Sequence, residues 1–281
     1  MKPLADEHVM ADLCAAFGVT PSGYYAWCRR KPGPRQCADA ELGTHLWAAH
    51  AASRQTYGSP RLLQALRQQG QRTSRRRVRR LMRQNRLQTQ VPRRFRPQTT
   101  DSRHDQPIAA NLLGVAPAPT GPNQQWVSDI TYVPTGEGWL YVAAVMDRWS
   151  RRIVGLAQAE HMATGLVEQA LAQALCHRRP GSGCLHHSDR GSPYASARYR
   201  AHLATAGLVA SMSRAGNCYD NAAMESFWGK LKGELVHRHE FATRQEARLA
   251  IFEYVEVFYN RTRLHSALGF KSPVDFELQL N

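Results

Sequence analysis

Three acidic side chains sit where a carboxylate needs a reason. Asp129 lies inside the apolar run WVSDITYV, Trp126–Val133. An unpaired carboxylate there is costly to bury or gives up its charge, so it needs a base, backbone donors or a cation. Asp189 follows the short stretch Cys184–His187 and precedes Gly191-Ser192-Pro193, which places it in a loop at a strand end. Glu225 lies in the helix-forming tract Tyr219–Val236. Each acid alone reads as a structural residue as readily as a catalytic one. Together, two acids from strands and one from a later helix can converge on two divalent ions about 3.5–4 Å apart. One ion then activates a water or a 3′-hydroxyl and the other stabilises the leaving oxygen. Hard oxygen ligands suit Mg²⁺ or Mn²⁺.

The helical tract can be read face by face. At about 100° per residue, Met224, Phe227, Leu231 and Leu235 share one side. Asn221, Glu225, Gly229 and Lys232 fall on the other, so a packed side orients an acid, an amide, a base and a glycine. Lys232, two turns from Glu225, is placed to grip a DNA phosphate. An ordinary amphipathic helix has the same pattern. Other metal chemistry finds little support. None of the six cysteines forms a C-x-x-C pair, and His186-His187 and His237-x-His239 lack zinc spacing, so no zinc is expected.

The elements that must carry these residues can be read in chain order. Short helices are expected over 9–17 and after Thr20-Pro21-Ser22, with Gly18 between them and Thr20 or Ser22 as cap, a weak helix-turn-helix signal. Lys31-Pro32-Gly33-Pro34 reads as a break and 38–50 as a helix. Gly58-Ser59-Pro60 opens a helix with Leu62, Leu63 and Leu66 inward, ended by Gly70. Ser74 caps another, with Val78, Leu81 and Met82 inward. Residues 88–123 hold six of the 15 prolines and read as a linker. Strands follow over Gln125–Val133, Trp139–Met146 and Arg152–Ala157, then a helix over Thr164–Cys176, a strand at Cys184–His187, a helix over Tyr194–Ala206, a strand at Leu208–Met212, and helices over 219–236 and 243–259. That order predicts an α/β fold, a mixed sheet flanked by helices, of the ribonuclease H-like kind.

Charge separates the two ends of the chain. Of a net +15, residues 1–110 carry 20 Lys/Arg against 7 acids, and Arg72–Arg96 holds 11 Arg and no acid. Arg75, Arg76, Arg79, Arg80 and Arg83 surround the apolar stripe of the Ser74 helix, a basic footprint for a nucleic-acid backbone. The bland alternative is a basic helix that covers a neighbouring domain. No apolar run approaches the ~20 residues of a membrane helix, and the acidic N-terminus does not resemble a signal peptide.

At these residues the chain resembles the integrase-core transposases of the insertion sequence 3 family, relatives of retroviral integrases. The resemblance rests on WVSDITYV, on HSDRGSPY at His187–Tyr194, on MSRAGNCYDNAAMESFWGKLKGEL at Met212–Leu235 and on YNRTRLHSALGFKSPVDFE at Tyr259–Glu277. The basic half contributes YGSPRLLQALRQQG and SRRRVRRLMRQNRL. The 35 residues between Asp189 and Glu225 match the family's D-D-35-E spacing.

The resemblance implies an integrase catalytic core with Asp129, Asp189 and Glu225 as catalytic and metal-binding acids, two Mg²⁺ or Mn²⁺ ions, and Lys232 as a DNA contact. Arg190 and Asn221 are further expected DNA contacts, although Asn221 and Asp220 also suit a helix start. Asp147, in MDRWSRRIVG, is expected to be structural, paired with Arg148, Arg151 or Arg152. The implied domains are a helix-turn-helix-like segment at 1–35, a basic helical DNA-binding domain at 36–90, a linker at 91–122 and the core at 123–281. The implied activity is metal-dependent cleavage at mobile-element ends and strand transfer by 3′-hydroxyl attack. The implied setting is the bacterial cytoplasm, on the nucleoid and away from membranes, as a homo-oligomer on element-end and target DNA. With no heptad stretch before residue 40, the chain reads as a second-frame product whose partner is the first-frame protein or its fused form. A non-catalytic DNA-binding regulator and a structure-specific nuclease are the alternatives.

Overall fold

In the computed structural model, residues 9–89, 106–214 and 221–279 are described. Part of the expected linker, residues 90–105 with Arg93, Arg94 and Arg96, falls outside them, as do Cys218 and Asp220.

Residues 9–89 form five helices and the turns between them. α1 (Met10–Ala16) and α2 (Pro21–Arg29) flank Gly18, whose φ of 65° suits glycine. Thr20 caps α2 by accepting from Gly23 N at 3.1 Å. α3 (Pro34–Ala52) starts four residues earlier than the sequence suggests. Pro34, read as a breaker, occupies the first turn, where a missing N–H costs nothing, and Gln36 Oε1 accepts from Gly33 N at 2.9 Å. α4 (Ser59–Gln68) and α5 (Arg75–Gln84) follow, and Ser74 Oγ accepts from Arg77 N. Leu42, Leu46, Leu62, Leu66, Val78 and Leu81 bury their side chains between these three helices.

The second part is built on five strands: β1 (Gln125–Thr135), β2 (Gly138–Asp147), β3 (Ile153–Ala159), β4 (Leu185–Ser188) and β5 (Val209–Met212). Their order is β3-β2-β1-β4-β5, antiparallel across β3-β2-β1 and parallel across β1-β4-β5. The strand residues alternate between two apolar layers, as a period of two requires. Trp126, Ala143 and Val145 pack with Leu166, Ala170 and Leu171 of α6 (Thr164–Arg178). Val127, Val142, Ala144 and Met146 pack on the opposite face with Met224, Phe227, Trp228 and Leu231 of α9 (Ala222–Glu234). Gly155 lets α6 sit on β3: a Cβ there would lie 2.0 Å from Ala170 O.

Three elements differ from the sequence reading. The helix expected over Tyr194–Ala206 is two, α7 (Ser192–Ala195) and α8 (Ala197–Thr205). They are broken at Ser196, which is extended and caps α8 through Tyr199 N. The helix expected over 243–259 is α-helical only over α10 (Arg244–Glu253) and widens to a π-helix over Tyr254–Tyr259, closed by Asn260 N donating to Val255 O at 2.9 Å. Beyond it lie a 3₁₀ turn, Ser266–Leu268, and α11 (Pro273–Leu278), which the hydrophobic pattern did not indicate. Asn260 clamps this region to the sheet, accepting from Ile153 N and donating to Ile153 O, both at 3.0 Å.

The helical part docks on that C-terminal region. Tyr57 OH accepts from Leu264 N at 2.6 Å, Arg61 Nε donates to Leu264 O at 2.9 Å, and the Arg54 guanidinium lies 4.8 Å from the Phe258 ring centre. Among the described residues no helix is long and apolar enough to cross a membrane.

Candidate active site

The sheet sets Asp129 and Asp189 side by side. β1 pairs in parallel with β4, Trp126 opposite His186 and Val127 opposite His187. Carrying that register two residues further brings Asp189, just past the end of β4, abreast of Asp129. Adjacent strands are about 4.8 Å apart. Asp129 also shares the pleat face of Val127, two residues before it, and so points toward α9.

The surroundings of Asp129 are unusual for a carboxylate. Its oxygens accept from Ile130 N at 2.9 Å and from the Trp228 indole Nε1–H at 3.1 Å, both neutral donors. The side chain keeps some surface exposure, but packed protein replaces most of its hydration. Its pKa is pushed up to about 8, first by that desolvation, then by the Asp189 charge and, more weakly, by Glu225; the two hydrogen bonds oppose the rise. Asp189 Oδ1 accepts from Gly191 N at 2.9 Å, and a Cβ on Gly191 would lie 3.0 Å from the same oxygen. That glycine lets the loop fold back on the carboxylate.

Glu225 occupies the first turn of α9 on its exposed side, with its pKa raised by desolvation. Its charge reaches Asp129 more weakly than that of Asp189 does, and among the described residues no three Asp, Glu, His or Cys side chains are close enough to hold a metal ion as a set. Lys232 lies on the same helix, its ammonium 5.0 Å from the Tyr132 ring centre. Burial lowers its pKa and the Asp129 charge opposes that.

Other expected site residues have structural occupations. Asn221 is buried and donates from Nδ2 to Ser128 O at 3.2 Å, strapping the start of α9 to β1 rather than capping the helix. Arg190 Nε donates to Ser213 O at 2.7 Å. Asp147 is structural, but not through the arginines beside it in sequence. It accepts from Asn123 N, Trp149 N, Ser150 N and Ser150 Oγ, while Arg148 turns to Gln125 and Arg152 to Glu277. His186 sits between Ser128 and Tyr199, with its pKa pushed down to about 3 by burial, and His187 between Ser211 and Ser213. On α5, Arg75, Arg76, Arg79 and Arg83 are exposed, whereas Arg80 pairs with Asp39 at 2.7 Å.

Trp228 is the residue that sequence reasoning missed. It lies at the edge of the apolar arc of α9, three residues after Glu225, where an indole packs and still offers a donor.

Known proteins resemble this chain over most of its length. Family models described as an integrase core domain match residues 119–218 and 225–280, and one described as an HTH-like domain matches 38–95. An uncharacterized 31 kDa protein of insertion element IS600 from Shigella sonnei is 48% identical over 264 residues, 94% of this chain and 97% of that one. Transposase InsF of insertion sequence IS3A from Escherichia coli is 40% identical over 267 residues, 94% of this chain and 92% of that one. Among solved structures, the HTLV-2 integrase catalytic core domain in complex with magnesium is 13% identical with a TM-score of 0.44, over 56% of this chain and 98% of that one. The chain belongs to the insertion sequence 3 family of integrase-core transposases.

Proposed function

We propose that this chain cuts DNA at the ends of its mobile element and joins the released 3′-hydroxyl to target DNA, using Asp129, Asp189 and Glu225. The observation that carries the reading is the Asp129–Asp189 pair. Asp129, opposed by burial and by the charge of Asp189 beside it and met among the described residues by two neutral donors, is short of positive charge. A divalent cation fits that need and an all-oxygen donor set. Asp129 and Asp189 would hold it and Glu225, from α9, would complete the set. Mg²⁺ or Mn²⁺ bound there, as two ions, supplies a deprotonated attacking oxygen and charge for the leaving oxygen.

The protein's own contribution is placement. β1 and the loop after β4 fix the aspartates, Gly191 N holds the Asp189 carboxylate, and the Trp228 indole holds that of Asp129. The open side of α9 presents Glu225 and Lys232 to a strand lying across it. Segment 36–90 grips flanking DNA through Arg75, Arg76, Arg79 and Arg83, residues 91–122 tether it to the catalytic part at 123–281, and segment 1–35 precedes both. The working form is an oligomer on DNA in the bacterial cytoplasm, with the first-frame protein or its fused form helping to find the ends.

The test is cleavage and joining of element-end DNA with Mg²⁺ by the full chain and by Asp129→Asn, Asp189→Asn and Glu225→Gln. Each variant should lose both reactions and keep DNA binding. Binding without nicking in the wild type would instead fit a regulator, and hydrolysis without joining a nuclease.

A further inference from the structure

A second cationic site lies on α9, round the helix from the carboxylates. Taking Glu225 as origin at 100° per residue, Gly229 lies about 40° round, Ser226 about 100° and Lys230 about 140°. Lys232 lies about 20° the other way. Glu225, Ser226 and Gly229 are exposed, and a Cβ on Gly229 would meet no atom within 4 Å. The arc therefore has a lysine on each border and is open as far as Gly229, while Gly233, one turn further on at about 80°, is buried.

Lys230 is not a freely solvated surface lysine. Its ammonium bonds to Ser226, to the carbonyl oxygen at 3.0 Å and also to the hydroxyl. Burial pushes its pKa down to about 8, and the charges of Arg263, Arg61 and Arg151 push the same way. The opposing charge is Glu234, and that carboxylate is already committed to Arg263 Nε at 2.8 Å, to Arg263 Nη2 and to Tyr254 OH at 2.8 Å. Glu234 lies one turn after Lys230 and holds Arg263, and Arg61 comes from α4 to the next residue, with its Nε on Leu264 O. Among the described residues no carboxylate pairs with Lys230 or Arg61, and the fully buried Arg263 has no acceptor for Nη1. Cations gathered with too few acceptors raise one another's cost, and an anion brought among them lowers it.

We infer that Lys230 and Arg61 form a composite phosphate site for the DNA backbone, beside the catalytic helix and present only when the helical part is docked on the core. The inference rests on the transposase reading above, because it takes the anion to be a phosphate of the bound strand. Arg61 supplies a planar fork and Lys230 a point charge. The strand that crosses Gly229 would be held from both borders, by Lys232 and by Lys230.

The chain has five lysines, so amine labelling read by mass spectrometry can follow each one. The full chain is labelled alone, with a short element-end duplex, and with inorganic phosphate. The expected result is that the duplex slows labelling of Lys230 and Lys232 together, each about 10-fold or more, with Lys271 unaffected. Lys230→Gln should flatten the log-affinity against log-salt slope for that duplex by about 0.9, and Lys230→Arg should restore it. Protection of Lys232 without Lys230 would overturn the composite site and leave the transposase reading standing. Protection of neither would overturn both. Protection by inorganic phosphate but not by the duplex would assign the site to a free anion and overturn the DNA proposal.

Discussion

The indole N–H of Trp228 donates to Asp129 Oδ2 at 3.1 Å, so the helix that carries Glu225 also steadies the carboxylate on β1. The bond favours the charged form of Asp129 against the desolvation that raises its pKa. Trp228→Phe keeps the ring and removes the donor. A hydrogen bond to a charged group contributes about 1.5–3 kcal/mol, and loss of a partner behind a metal ligand typically costs about 10–100-fold in affinity. The variant should need that much more Mg²⁺ for half-maximal cleavage, with its pH profile shifted upward. Metal titrations of cleavage at several pH values check this; an unchanged Mg²⁺ requirement would show that the bond is incidental.

Asp129 should also cost the protein stability. Its folded pKa of about 8 lies above the ordinary value of 3.8. The fold therefore favours the protonated form: the contribution is fully present below the ordinary value and is lost as pH rises toward 8. Without metal, Asp129→Asn should match the wild type at acid pH and gain on it through this window. A gain of about 1–3 kcal/mol at pH 8 corresponds to roughly 2–10 °C in Tm. Mg²⁺ should raise the Tm of the wild type and not of the variant. Parallel Tm–pH curves in chelator would contradict the environment described for Asp129.

Gly191 is set by proximity rather than by backbone angle, since its φ of −60° is open to any residue. Gly191→Ala puts a Cβ 3.0 Å from Asp189 Oδ1, so the carboxylate must move by a few tenths of an ångström. Displacement on that scale near reacting atoms costs about 10-fold or more in rate. The fold should lose less than about 1 kcal/mol. Turnover and chemical denaturation of the same preparation separate the two effects.

The basic helix yields a prediction about salt. Neutralising the exposed Arg76, Arg79 and Arg83 should reduce the log-affinity against log-salt slope by about 0.9 for each phosphate that the helix no longer neutralises. Arg80→Gln should leave the slope alone, because Arg80 is occupied by Asp39. An unchanged slope in the triple variant would mean that this face does not meet the backbone.

Much of this was legible in the sequence, for identifiable reasons. The strands showed because Val127, Val142, Ala144 and Met146 alternate in the apolar pattern, and the helix starts showed because Thr20 and Ser74 are strong caps. The break at Ser196 was hidden, since serine caps a helix and also occurs within one. The π-helical stretch was hidden because its aromatic spacing resembles an α-helix. Asp147 was misassigned to its neighbouring arginines because backbone donors leave no trace in residue type. Trp228 and Lys230 were missed for a related reason: only the packed structure brings the Trp228 indole to Asp129, and only it sets Lys230 among the charges of Arg61, Arg151 and Arg263.

The proposed chemistry depends on Asp129, Asp189 and Glu225 sharing divalent ions, although among the described residues no three such side chains are close enough to hold a metal ion as a set. The most direct measurement is anomalous diffraction from Mn²⁺ in crystals of the full chain bound to element-end DNA. The account predicts two peaks about 3.5–4 Å apart, with Asp129, Asp189 and Glu225 as their carboxylate ligands. Manganese bound elsewhere, or a Glu225 carboxylate that touches neither ion with the DNA end in place, would contradict it.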